Sequence, residues 1–84
     1  MRYQITIRKS AIKTLQKISE PYFSALKKAI YNLSEDPRPP GCIKLKGREA
    51  YRIRVGAYRI IYEIFDTMLL IDVIAIGHRK NIYE

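Results

Sequence analysis

The chain has 84 residues, room for one domain with a modest core. Hydrophobic residues make up 48% of it, which argues for a globular fold rather than disorder, and 16 Lys+Arg against 8 Asp+Glu leave a formal charge of +8. So basic a surface calls for a polyanionic partner (nucleic acid, a ribonucleoprotein or an acidic protein segment), while a single cysteine and a single histidine exclude an intramolecular disulfide and a four-ligand zinc site.

In chain order, residues 3–7 alternate, with Tyr3, Ile5 and Ile7 on one face and Gln4 and Thr6 on the other, the pattern of a first strand. Ser10 is placed to cap a short helix whose inner stripe is Ile12, Leu15 and Ile18. Pro21 suits the first turn of a second helix, with Phe23, Leu26, Ile30 and Leu33 inside and Lys27 and Lys28 outside. Asp36-Pro37-Arg38-Pro39-Pro40-Gly41 stops that helix in a stiff loop. The period then changes from helical to alternating. Cys42 to Leu45, Tyr51 to Val55 and Tyr58 to Phe65 read as strands, and Met68 to Ile76 as a strand buried on both faces, after a tight turn at Asp66-Thr67. Cys42 itself reads as a small apolar residue of the interior. One strand, a helical hairpin, then a run of antiparallel strands in one sheet with the helices on one face make a single α+β domain over residues 1–84.

The start, Met1-Arg2-Tyr3-Gln4, has no signal-peptide pattern. The longest apolar run, broken by Asp72, is far too short to cross a bilayer. A cytoplasmic protein without a membrane partner is expected.

Arg52 and Arg54 are two apart in a strand and share a face, leaving Ile53 and Val55 for the core. Gly56-Ala57 fits a two-residue turn of type II′. That turn would set Val55 against Tyr58, Arg54 against Arg59, Ile53 against Ile60 and Tyr51 against Tyr62. Like charges directly opposite on a sheet are destabilising by up to roughly 1 kcal/mol, so three clustered guanidinium groups suggest a phosphate site, for which arginine supplies planar, forked donors. The same residues also fit a solvated face on which Glu63 or Glu49 relieves the charge. Gly77-His78-Arg79 follows the buried strand, where scaffolds often present functional groups. His78 carries the chain's one imidazole, the group that exchanges a proton most readily near neutral pH; it reads equally as a structural or surface histidine. Tyr83 is either an edge aromatic or a residue that stacks on a base.

Several segments together resemble a known family: Asp36-Pro37-Arg38-Pro39-Pro40-Gly41, Lys44-Leu45-Lys46-Gly47, Tyr51 through Glu63, and Ile76-Gly77-His78-Arg79 with Tyr83. In order and spacing they are similar to the RelE branch of the RelE/ParE toxin superfamily, over nearly the whole chain. The resemblance implies the RelE-like microbial RNase fold and a type II toxin of a toxin–antitoxin pair. Such a toxin enters the ribosomal A site and cuts mRNA without metal or cofactor, the ribose 2′-hydroxyl attacking its own phosphate. It implies catalytic positions at Arg52, Arg54, Arg59, His78, Arg79 and Tyr83, with Lys44 and Lys46 joining Arg52 and Arg54 in holding substrate. Arg59 and Arg79 would neutralise the phosphorane-like charge. Arg52 and Arg54 stand where the best-known RelE toxins carry Lys. A guanidinium is a poor general base, which leaves His78, and less favourably Glu49, to move the proton. The implied partners are the ribosome, mRNA and a cognate antitoxin with an amphipathic, partly acidic segment that folds as it binds. Two other readings share these residues: a ParE-like toxin that poisons DNA gyrase by protein binding, and a non-catalytic module that binds RNA or antitoxin. No Gly-rich phosphate loop or nucleophile elbow speaks for a metabolic enzyme.

Overall fold

A computed structural model describes residues 2–78 of the chain. Strand β1 (Gln4–Ile7) leads into helices α1 (Lys9–Gln16) and α2 (Tyr22–Leu33), followed by β2 (Ile43–Lys44), β3 (Ala50–Val55), β4 (Tyr58–Phe65) and β5 (Leu70–His78). The sheet order is β1-β5-β4-β3-β2. Strands β2 to β5 pair antiparallel, and β1 lies parallel to β5, so the sheet is mixed. The expected α+β layering, with both helices on one face, is present.

The core lies between that face and the helices. Leu26, Ile30 and Leu33 of α2 and Ala11 and Leu15 of α1 meet Tyr51, Ile53, Ile60, Tyr62, Ile71 and Val73 of the sheet. Tyr62 is fully buried and donates its hydroxyl to the Pro37 carbonyl at 2.7 Å, tying the proline-rich loop to the core. Arg38 from that loop lies over the Tyr51 ring, 5.1 Å from its centroid, and reaches Asp66 at 2.9 Å, which also accepts from the Tyr3 hydroxyl at 2.6 Å. Cys42 is half-buried against the core.

Three local expectations change. Helix α1 starts before Ser10: Arg8 is its N-cap and makes no side-chain cap. The Arg8 N–H still bonds the Val73 carbonyl at 2.9 Å, so the chain passes directly from strand to helix and Ser10 falls inside the first turn. The buried stripe of α1 is Ala11 and Leu15, one full turn apart, while Ile12 is 37% exposed and Ile18 lies beyond the helix end. The β4–β5 reversal is longer than a tight turn, running through a 3-10 turn (Asp66–Met68) and Leu69 at φ +51. Strand β5 therefore begins at Leu70, and Met68 is exposed. Nor is β5 equally buried on its two faces: Ile71, Val73 and Ile76 are buried toward the helices, whereas Asp72, Ile74 and Ala75 are only half-buried. A bulge interrupts the β4–β5 register there, so that Ile61 faces Ala75, Tyr62 faces Val73 and Ile74 is the extra residue.

Candidate functional site

The β3–β4 hairpin turns through Gly56 and Ala57, with Gly56 at φ +62 and Ala57 outside the positive-φ region, as a type II′ turn requires. The register is the one the turn predicts: Val55 to Tyr58, Arg54 to Arg59, Ile53 to Ile60 and Tyr51 to Tyr62. Because side chains alternate across a strand, Arg52, Arg54 and Arg59 share the sheet face away from the helices.

On β5, Gly77 lies directly opposite Arg59 and Ala75 opposite Ile61. Gly77 is buried and puts no side chain of its own beside Arg59. Next to the arginines, Leu45, Ala50 and Ile61 form a small buried apolar floor, flanked by Ile74 and Ala75. Arg54 is exposed, Arg59 half-buried and Arg52 only 8% exposed. Burial, and then the charges of Arg59 and Arg54, hold the Arg52 guanidinium below its ordinary pKa. A guanidinium so placed stays cationic at neutral pH and gains from any anion brought to it.

The carboxylates of this face lie at its other end. Glu63 and Asp72 flank Arg8 at 3.8 and 3.5 Å, and Thr6 donates to Asp72 at 3.0 Å. Along β4, Arg59 and Glu63 are four residues apart, about 13 Å at strand rise. Glu49 pairs instead with Lys44 at 3.5 Å. Among the described residues, the ion pairs of these two acids are with Arg8 and Lys44. The sheet face away from the helices thus runs from a cationic end, over an apolar floor, to an end where acid and base are matched.

The other candidates are placed differently. Lys44 is opposite Tyr51, which assigns it by register to the helix-side face. Lys46 is exposed in the loop between β2 and β3. His78 faces Tyr58, and their rings meet edge to face at 5.7 Å, with Tyr22 against Tyr58 at 5.5 Å. Its imidazole is therefore on the helix side of the sheet, and the structure does not bring it to the arginines. Arg79 and Tyr83 lie outside the described residues. Gly77, Ala75 and the apolar floor were not foreseen. The signal available was two small residues at alternate positions, 75 and 77, among bulky neighbours. Among the described residues, no three His, Cys, Asp or Glu side chains gather to hold a metal ion, and no helix is long and apolar enough to cross a membrane.

Comparison with known proteins gives the family. Residues 5–83 match the model of the ParE toxin of the type II toxin–antitoxin system parDE. An Escherichia coli protein named RelE-like is 32% identical over 96% of this chain and 87% of its own. The mRNA interferase toxin RelE of Escherichia coli K12 is 27% identical over the same shares of the two chains. The archaeal RelE–RelB complex of Pyrococcus horikoshii superposes with a TM-score of 0.86 at 27% identity, covering 98% of this chain and 100% of that one. The intact Escherichia coli RelBE toxin–antitoxin complex gives 0.79 at 28% identity, covering 90% and 95%. With its sheet order, helical hairpin and near-complete family match, the chain belongs to the RelE/ParE superfamily and is a RelE-like toxin of a type II toxin–antitoxin system.

Proposed function

We propose that this toxin is an endoribonuclease that cuts mRNA in the ribosomal A site. One observation carries the reading: three arginines crowd one end of the sheet face away from the helices, one of them buried and held below its ordinary pKa, opposite Gly77, which adds no side chain to that face. Like charges sharing a sheet face disfavour one another, and guanidinium groups so gathered match the forked geometry of phosphate oxygens.

Strand scission by an internal nucleophile needs a base to take the 2′-hydroxyl proton, positive charge around the pentacoordinate phosphorus, and an acid for the departing 5′-oxygen. Arg52 and Arg59 supply fixed positive charge, and exposed Arg54 holds the flanking phosphate. Arg79 adds to that charge, Tyr83 orients or stacks the nucleotide, and Lys44 and Lys46 steer the RNA backbone. The products are a 2′,3′-cyclic phosphate or 3′-phosphate and a 5′-hydroxyl, and no metal takes part. His78 is assigned the proton transfer by its chemistry, and its ring must leave the Tyr58 edge to reach the arginine face. The relatives named mRNA interferase support the activity. The solved complexes with RelB support a cognate antitoxin as the partner.

The test is to add the purified toxin to translating ribosomes and map new mRNA 5′ ends. Arg59→Ala should slow cutting by about 10²–10³, the usual effect of removing one donor from a developing oxyanion. His78→Gln should slow it as well, and full activity in that variant removes His78 from the mechanism. The match to a model described as ParE favours a second reading, a gyrase poison. Inhibition of gyrase supercoiling with no mRNA cuts would establish that reading; ribosome binding without either effect would leave a non-catalytic module.

A further inference from the structure

Tyr58 is the first residue of β4 and His78 the last of β5, and the two face each other in the ladder. Their rings meet edge to face at 5.7 Å and 80°. Tyr22, at the start of α2, packs on Tyr58 at 5.5 Å, and its ring lies beside Gly56 of the turn. Tyr58 is half-buried against the core, whereas Tyr22 is 45% exposed. Strand β5 is held on both sides at its start: β1 pairs with it from Leu70 to Val73, and the Arg8 N–H closes that ladder on the Val73 carbonyl at 2.9 Å. Among the described residues, Ala75 to His78 pair with β4 alone. The bulge stands at Ile74, where the second partner ends. Bonded on one side, the end of β5 can turn against β4 without disturbing the β1–β5 ladder. Gly77 has no side chain to hinder rotation about its own backbone, so His78 can change face while Ile76 stays in the core.

We propose that Tyr58, braced by Tyr22, is a positioning residue for His78: it holds the imidazole on the helix side of the sheet in the free toxin and yields it to the arginine face when a phosphodiester binds there. This rests on the nuclease reading and on His78 as its proton carrier. The physical reason is charge. An imidazole that takes up a proton among Arg52, Arg54 and Arg59 meets three like charges, whereas the edge of a tyrosine ring is neutral. A bound phosphodiester brings negative charge and acceptor oxygens to that face and reverses the preference. The substrate then draws the chain toward the conformer in which it gains that contact. The Tyr58 edge is therefore a brake on cutting. A contact that served packing alone would leave a slower enzyme when removed; a brake leaves a faster one.

The chain has one histidine, so its imidazole C–H signals are read without ambiguity in proton spectra of the full chain. In the free protein they should show nuclear Overhauser contacts to the Tyr58 ring. A short RNA with a 2′-deoxyribose at the nucleotide to be cut, added without ribosomes, should shift the amides of β3 and β4 and abolish those contacts. On translating ribosomes Tyr58→Leu should cut mRNA about two- to ten-fold faster in a single turnover, the worth of one aromatic edge contact, and the gain should vanish in Tyr58→Leu/His78→Gln. Tyr22→Leu, at an exposed site, should give a smaller gain of the same kind and serves in place of Tyr58→Leu should that variant melt early. Contacts that persist with RNA bound, variants that cut no faster than the parent, or a gain that survives His78→Gln would each overturn the inference and leave the nuclease reading standing. RNA that shifts no β3 or β4 amide, with no mRNA cut by the parent chain, overturns that reading and the inference with it.

Discussion

Replacing Arg54 with glutamine separates the cost of the arginine cluster from its use. Arg54 faces Arg59 across the hairpin and shares its face with Arg52, whose guanidinium is held down by burial and by both neighbours. A like-charged cross-strand pair costs up to about 1 kcal/mol. Arg54 is exposed and feels its neighbours largely through water, so the expected gain on its removal is about 0.5–1 kcal/mol at low salt. With about 2.1 cal/mol/K of unfolding entropy per residue, 84 residues give roughly 180 cal/mol/K, and Tm should rise by about 3–6 °C. The Debye length falls from about 30 Å at 0.01 M salt to about 3 Å at 1 M, so the gain should nearly vanish at high salt. Single-stranded RNA binding should move the other way, with a salt slope smaller by about 0.7 for one lost phosphate contact. Calorimetric melts at both salt concentrations measure the first effect, with Arg48→Gln, an exposed cation in the β2–β3 loop, as reference. If Arg54→Gln gains nothing over Arg48→Gln at low salt, or gains equally at both, the arginines do not repel one another and the argument for a poised phosphate site fails.

Tyr62→Phe removes a hydroxyl at a fully buried position and leaves the Pro37 carbonyl without its 2.7 Å donor; unfolding in urea should show a loss of about 1–3 kcal/mol. Gly56→Ala meets ordinary contact with the Tyr22 ring at 3.5 Å, but forces a Cβ into φ +62, so the same titration should show a loss of about 1–2 kcal/mol. Asp66 is held below its ordinary value of 3.8 first by its hydrogen bond from Arg38 and then by that from Tyr3. Its stabilising effect is complete above that ordinary value and disappears as pH falls through the lowered folded value. Asp66→Asn should therefore melt lower than the parent at neutral pH, with the gap closing as pH falls into strong acid; a gap of the same size at neutral pH and in strong acid would show that the ion pair is not its source.

Much of the fold is legible because it is local. Gly56-Ala57 sets a hairpin register without reference to the rest of the chain, and Arg54 and Arg59 follow from it. Leu26, Ile30 and Leu33 mark the inner face of α2 by spacing alone. Long-range pairing has no such local sign. Nothing in Gln4–Ile7 states that its partner is β5 or that the pairing is parallel. The start of α1 departs from what residue type predicts for a related reason. Ser10 is the better cap by residue type, but Arg8 is claimed by the Val73 carbonyl and by the carboxylates of Glu63 and Asp72, all more than 50 residues away in sequence. The resemblance groups Lys44 with the substrate-holding arginines, whereas pairing with Tyr51 decides its face.

The position of His78 shows how one residue divides the site. Counting along β5 from Asp72, which shares the arginine face with Glu63, strict alternation would put residues 74, 76 and 78 on that face, and His78 would stand among the arginines. The bulge at Ile74 reverses the count. Ala75 and Gly77 take the arginine face, Ile76 enters the core at 5% exposure, and His78 turns to Tyr58. The sequence Val73-Ile74-Ala75-Ile76 is apolar throughout, so neither register contradicts its hydropathy and the bulge leaves no mark in the letters. Packing decides instead. In the observed register an isoleucine is buried under the helices and the smallest side chains lie beside Arg59 and Ile61. In the other, Ile76 would lie on the arginine face and Gly77 in the core, forfeiting up to about 3 kcal/mol of burial for the isoleucine alone. The glycine opposite Arg59 and the turning of His78 toward Tyr58 are therefore two results of one bulge. A mechanism that uses this histidine at the arginine face has to move the end of β5.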